Sequence, residues 1–306
     1  MSSIPAPVRE GVEGALGRLG RAPRIVAVAP VTGGCINHGA RLSTEGGVDY
    51  FLKWNASAPP RFFDAEADGL RALAAPGALR IPAPVARGGR SGAPAWLLLE
   101  YIPAGTPAPD FEERLGRGLA RLHASAPPDA SFGWRGSNWI GSLPQSNRAS
   151  RSWSAFWRDQ RLAPQLRRAR ERGLLRGPRA GVLDRALDLV PAALADVDEG
   201  PVHLLHGDLW SGNAYAGPTG EPVVIDPSVY HGHGEVDLAM TELFGGFGAR
   251  FYKAYAEAGT LTDAYAAYRR DMYQLYYLLV HVNLFGSQYE ERTLAAAARA
   301  AAALAG

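Results

Sequence analysis

His206-Gly207-Asp208-Leu209-Trp210-Ser211-Gly212-Asn213, followed by Val223-Val224-Ile225-Asp226-Pro227, is the stretch that decides how this chain reads. Asp208 and Asn213 have the separation of base and metal-ligating Asn in the catalytic loop H-R-D-x-x-x-x-N, with Gly207 in place of the Arg. After Asn213 the pattern is that of a hairpin: Ala214-Tyr215-Ala216, a Gly217-Pro218-Thr219-Gly220 turn, then an apolar run ending in Asp226. Such a hairpin is expected to return Asp226 beside Asn213. A carboxylate and an amide oxygen brought together suit Mg²⁺, a hard cation that completes its shell with water and phosphate oxygens. Taken alone, His-Gly-Asp is an ordinary turn. The agreement of spacing, hairpin and second acid points instead to phosphoryl transfer, with Asp208 as base and Asn213 and Asp226 as metal ligands.

A site of that kind needs a lysine on a strand to hold nucleotide phosphates and a glutamate on the following helix to hold the lysine. Val48 to Trp54 alternates as a strand carrying Lys53, and Phe62 to Leu73 has the spacing of an amphipathic helix. Of the 32 basic residues only Lys53 and Lys253 are lysines, so an ammonium is kept here in a chain that otherwise writes Arg. A compact point charge fits between phosphate oxygens where a planar guanidinium does not. Glu66 is preferred over Asp64 and Asp68 as partner, because Ala65 and Ala67 flank it and Leu70 follows four residues on. The glycine-bearing turn with Gly33, Gly34, Cys35 and Asn37 precedes the lysine strand and is expected to cover phosphates with backbone N–H groups. Ala95 to Tyr101 reads as a buried strand whose exit, at Glu100 and Ile102, would be the hinge that meets adenine with backbone groups.

These residues resemble the fructosamine kinase (ketosamine kinase) family, within the aminoglycoside phosphotransferase and choline kinase group of protein-kinase-like folds. The resemblance spans nearly the whole chain. It rests on HGDLWSGN at 206–213, where aminoglycoside and choline kinases usually have His in place of Trp210. Further markers are Asn138-Trp139-Ile140-Gly141 with Pro144-Gln145-Ser146-Asn147, Asp226-Pro227-Ser228 with Gly234-Glu235-Val236-Asp237-Leu238-Ala239-Met240, and Leu284-Phe285-Gly286. It implies an α+β, two-lobed protein-kinase-like fold and ATP- and Mg²⁺-dependent phosphorylation of the 3-hydroxyl of a ketoamine, small or protein-linked. The phosphorylated adduct falls apart and frees the amine, a deglycation repair. Two segments depart from the family pattern: relatives often carry Asp before Asn138, and an Arg is expected just before Glu235. In this family a cysteine at the position of Cys35 has been linked to redox-dependent dimerisation of an otherwise monomeric protein; the alternative is an inert filler of the turn.

Trp210 is assigned to the acceptor side, since an indole offers a flat apolar face and one N–H donor to a sugar. Asn138, Trp139 and His231 are grouped with it. The stretch 124–152, rich in Pro, Gly, Ser and Asn, is read either as an acceptor-binding insert or as a surface loop. His206 is expected to brace the catalytic loop, and Asp237 to brace it from the start of its helix. His203, His206, His231 and His233 do not have the spacing of a zinc site. An aminoglycoside or other amino-sugar phosphotransferase is disfavoured by Trp210, and a non-catalytic nucleotide-binding regulator by the presence of both Asp208 and Asp226.

The 306 residues, 47% hydrophobic and 20% charged, suffice for a sizeable core. The division read from the sequence is an ATP-binding lobe at 1–102 and a helical lobe at 103–306, cut at the Pro103-to-Pro109 break. A net charge of +2 argues against a nucleic-acid partner. The Arg-rich run from Arg161 to Arg176 is expected to be a solvated helix face. One cysteine, no basic-then-apolar leader and no long apolar run point to a cytoplasmic protein with no membrane span.

Overall fold

The computed structural model describes residues 4–31, 36–89, 93–259 and 261–304. The chain divides into two compact units. One comprises 1–109 with 215–226, and the other 110–214 with 227–306. A single cut between Ile102 and Pro103 therefore does not describe it. The first unit extends to Pro109 and takes back a segment from far down the chain. That recovery has a local cause, because Arg80 bridges the returning strand through Arg80 N–H to Pro222 O (3.3 Å) and Val224 N–H to Arg80 O (3.0 Å).

In the first unit the order is α1 (Ala6–Arg18), β1 (Ile25–Val31), β2 (His38–Thr44), β3 (Asp49–Asn55), α2 (Phe62–Ala74), β4 (Pro84–Gly88) and β5 (Ala95–Glu100). The strands form one antiparallel sheet in the order β1-β2-β3-β5-β4. Period-2 alternation splits β3 between two faces. Tyr50, Leu52 and Trp54 join Val8, Val12 and Leu16 of α1 in one apolar core. Lys53 consequently points to the opposite face. Helix α2 buries Phe62, Phe63, Ala67, Leu70 and Leu73.

The second unit begins with α3 (Phe111–His123), then the short pair β6 (Asn138–Ile140) and β7 (Leu143–Gln145), then α4 (Trp153–Phe156), which runs through a π-helical segment (Trp157–Leu162) into α5 (Ala163–Glu171). Helix α6 (Gly181–Ala193) and β8 (His203–Leu205) follow. The hairpin of β9 (Ala214–Ala216) and β10 (Pro222–Val224) comes next in the chain, and then β11 (Tyr230–Gly232), α7 (Glu235–Leu243), α8 (Ala249–Ala258), a second π segment (Tyr265–Arg269), α9 (Arg270–Phe285) and α10 (Glu290–Ala303). Helix α3 packs on α8, and the almost wholly buried α9 packs on α5, α7 and α10. Strand β8 pairs antiparallel with β11. The arginine run is not uniformly solvated: Arg167 and Arg168 are exposed, whereas Arg161 is fully buried. No helix among the described residues is long and apolar enough to cross a membrane.

Candidate active site

In the first unit Lys53 is the centre of a charge triad. Its Nζ lies 2.6 Å from Glu66 Oε1 and 2.9 Å from Asp226 Oδ1. The lysine and glutamate side chains are 8% and 10% exposed, so water screens them little, while Asp226 is 40% exposed. Burial alone would lower the Lys53 ammonium, but the Asp226 and Glu66 carboxylates outweigh it and hold it above its ordinary value. Burial pushes the Glu66 carboxyl up, Lys53 opposes that, and Asp226 adds to it. Asp226 adopts the left-handed backbone region, φ +55°, two residues after β10, whose Val223 and Val224 are buried. A non-glycine residue there is uncommon, and Asp is among the few that tolerate it.

The other nucleotide-side candidates fall unevenly. Gly33, Gly34 and Cys35 lie outside the described residues. Asn37 is tied to the end of β3, since Asn55 Nδ2 donates to Asn37 Oδ1 at 3.0 Å. The Glu100 carboxylate pairs with Arg80 and accepts the Ala83 N–H at 3.2 Å, and the Glu100 N–H donates to Ala83 O at 2.8 Å. Ile102 O accepts the Tyr215 hydroxyl at 3.0 Å, which ties the strand exit to β9.

In the second unit the loop carrying Asp208 is held from several sides. Asp237, fully buried in the first turn of α7, accepts the N–H of His206 (2.7 Å) and of Gly207 (2.8 Å) and faces His123 Nε2 at 3.1 Å. Burial acts to raise the Asp237 carboxyl; the His123 hydrogen bond, the electrostatic pull of His123 and His206 and the Gly207 N–H prevail and hold it below its ordinary value. The Gly207 carbonyl accepts the Tyr277 hydroxyl at 2.9 Å. Gly207 itself has φ +82°, and a Cβ there would sit 2.2 Å from Ser228 O. That contact explains why no arginine follows His206: only glycine admits both the backbone conformation and the adjoining Ser228 carbonyl. The buried His206 ring accepts the Asp208 N–H at 3.3 Å. Asn213 Nδ2 donates to Asp208 O at 2.8 Å, which fixes the end of the amide that carries oxygen. Neither His123 nor Tyr277 is signalled by the sequence pattern, because both reach the loop from helices distant in the chain.

On the acceptor side Trp210 is 37% exposed, and its ring lies over Gly212, where a Cβ would stand 2.3 Å from the indole. Asn138 is a correction. It is 7% exposed, donates to Val229 O at 2.8 Å and accepts from Gln145 and Asn147, each at 2.8 Å, so the side chain is scaffold. Trp139 is half-buried, and its carbonyl accepts the Ser228 hydroxyl at 2.7 Å. His231 is half-buried and meets Trp134 edge to face at 4.8 Å; burial lowers its pKa. The arginine missing before Glu235 is supplied from elsewhere, since buried Arg269 lies 3.7 Å from the Glu235 carboxylate.

Residues 15–300 match the sequence profile described as fructosamine kinase. The chain belongs to the fructosamine kinase family. A protein of Synechocystis sp. named "Probable ketoamine kinase" is 41% identical over 291 residues, which cover 94% of this chain and 95% of that one. The chloroplastic protein-ribulosamine 3-kinase of Arabidopsis thaliana is 37% identical over 90% of this chain and 82% of its own. The crystal structure of a candidate fructosamine-3-kinase from Thermobifida fusca superposes with a TM-score of 0.82 at 32% identity, covering 95% and 98% of the two chains. An aminoglycoside phosphotransferase crystallised with ADP and hygromycin B has a TM-score of 0.63 at 16% identity over 96% and 97%, and shows the fold alone. The chain is thus an α+β protein of the protein-kinase-like class, and its family is one of ATP-using phosphotransferases.

Proposed function

We propose that this member of the fructosamine kinase family transfers the γ-phosphoryl group of ATP to the 3-hydroxyl of a ketoamine. The observation that carries the reading is Lys53 held at once by Glu66 and Asp226, the strand lysine, helix glutamate and metal-side acid that phosphoryl transfer from a nucleotide requires. Lys53 orients the ATP phosphates, Glu66 keeps Lys53 in place, and Asp208 accepts the proton of the attacking hydroxyl. The donor set fits Mg²⁺: Asp226 offers a carboxylate, and Asn213 has its amide nitrogen fixed on Asp208 O, which turns its oxygen outward from that bond. Asn213 and Asp226 would hold the ion, which when bound neutralises charge on the phosphates. Asp237 and Tyr277 keep the backbone of the Asp208 loop from moving as charge develops, so the base needs no reorganisation.

For the acceptor, the names of the relatives and the exposed Trp210 favour a sugar-derived ketoamine. The apolar C–H face of such an acceptor would lie on the indole. The test is to incubate the purified chain with ATP, Mg²⁺ and a panel of fructosyl, ribulosyl and erythrulosyl amines, free and protein-linked, beside aminoglycosides. ADP release and phosphorus NMR should show a 3-phosphate on a ketoamine and none on the aminoglycosides. Turnover confined to aminoglycosides would overturn the reading.

A further inference from the structure

Arg161 has a setting that the roles given so far do not explain. It is fully buried, lies in the π-helical segment between α4 and α5, and has no carboxylate partner among the ion pairs of the described residues. Its guanidinium carbon stands 4.0 Å from the Tyr230 ring centroid, 4.5 Å from Phe156 and 5.8 Å from Tyr276. A buried cation is normally neutralised by an acid. Here the hydrogen bonds go to a loop instead: Nη1 donates to Ser146 O (2.6 Å) and Gln160 O (3.1 Å), and Nη2 to Asn147 Oδ1 (2.6 Å). π segments inside helices recur at functional sites, where the extra residue aims a side chain that regular geometry would place elsewhere.

The loop that Arg161 grips leads to the catalytic loop through hydrogen bonds. Asn147 and Gln145 both donate to Asn138 Oδ1, and Asn138 donates to Val229 O. Tyr276 donates to Gln145 Oε1 at 2.6 Å, and the Ser228 hydroxyl donates to Trp139 O. Ser228 N–H in turn donates to His206 O at 2.9 Å, and Ser228 O is the group against which Gly207 closes. We infer that Arg161 is a positioning residue that fixes the 138–147 hairpin to the 228–229 segment packed on the Asp208 loop, and thereby sets acceptor geometry and not nucleotide binding. The inference rests on Asp208 being the base of the proposed transfer. All of the linked groups lie in the second unit, whereas Lys53, Glu66 and Asp226 lie in the first.

Full-length Arg161→Met and Arg161→Lys, with Asn147→Ala as a milder cut of the same link, test this. With the best acceptor of the wild type, Arg161→Met should lower kcat tenfold or more and raise the acceptor KM severalfold. The ATP KM should stay within twofold. Arg161→Lys should recover part of the loss, because one ammonium reaches one of the two loop oxygens, and Asn147→Ala should show the same split in weaker form. Hydrogen exchange, which requires no acceptor, should rise at 138–147 and 206–210 and stay unchanged at 48–66. A lower melting temperature with unchanged kcat and both KM values would overturn the inference, as would parallel loss on both substrates. A wild type inactive on ketoamines would refute the proposed substrate and leave the exchange pattern to decide the role of Arg161.

Discussion

Lys53 is where burial and chemistry pull hardest against each other. Its charge is tolerable only because two acids meet it, and removing the ammonium leaves Glu66 buried beside nothing that compensates it. Breaking a buried pair from one side costs about 3–5 kcal/mol. Lys53→Met should therefore lose stability of that order in denaturant titrations as well as activity. Lys53→Arg keeps the charge but requires a planar fork between carboxylates at 2.6 and 2.9 Å, and should lose roughly 100-fold or more in kcat while folding. Near-normal turnover of Lys53→Arg would remove the lysine from the phosphate site. The two aspartates should separate differently. Asp208→Asn is expected to keep its ATP affinity and lose orders of magnitude in kcat, because only the proton acceptor disappears. Asp226→Ala should instead weaken metal-dependent nucleotide binding, measurable by titrating nucleotide with and without Mg²⁺; equal binding losses in both variants would contradict the division of roles.

At the scale of the element, the turn after β8 depends on one glycine. Gly207→Ala would force a side chain into φ +82° with its Cβ 2.2 Å from a backbone oxygen, and a backbone oxygen cannot swing aside as a flexible side chain could. The left-handed region alone costs about 1–2 kcal/mol. The variant should melt lower and lose kcat, since the same peptide carries the hydrogen bonds to Asp237 and Tyr277; an Ala variant with unchanged kcat would mean that the loop carrying Asp208 is not fixed by this contact. Elements whose pattern is local were legible in the sequence. Alternation along β3 gave the face of Lys53, and the spacing in α2 singled out Glu66. What was not legible depends on partners far along the chain. The three-residue strands β6 and β7 are too short for alternation to register, and Asn138 within them looks like a recognition residue until its amide is seen to be spent on Val229, Gln145 and Asn147. Arg161 reads as one more charge of a solvated run, because helical periodicity of 3.6 does not anticipate a π segment. The return of 215–226 to the first unit is equally hidden, since Arg80 carries no mark of its pairing with Val223.

Across the whole molecule, the groups that titrate out of their ordinary range are divided between the two units. In the second unit burial, reinforced by His123, lowers His203 from 6.5 to about 4, and burial likewise holds His233 well below its ordinary value. The rings of His123, His203 and His233 lie in succession 5.9 Å apart, so a proton on one is repelled by its neighbours. Between pH 6.5 and about 4 the unfolded chain binds a proton at His203 that the folded chain does not, so stability must fall as the pH falls through that window. The drop amounts to about 3 kcal/mol from His203 alone, at 1.36 kcal/mol for each pH unit. Asp237 adds to it at the acid end, because a carboxyl held below its ordinary value contributes stability that is lost once it is protonated. Lys53, in the first unit, has the opposite sign. Its raised value contributes stability that is complete below the ordinary lysine range and is lost as the pH rises beyond it. Acid should accordingly open the second unit before the first, whereas alkali loads both, since burial also raises Tyr230, Tyr255 and Tyr276 in the second. Hydrogen exchange followed by mass spectrometry at pH 4.5 and 7 checks the acid order, with exchange rates corrected for pH. Acid should deprotect β8, β11 and the start of α7 before β3 and α2, and His203→Gln should flatten the acid limb. Uniform deprotection of both units at pH 4.5, or an acid limb unchanged in His203→Gln, would show that the buried histidines do not set the acid stability.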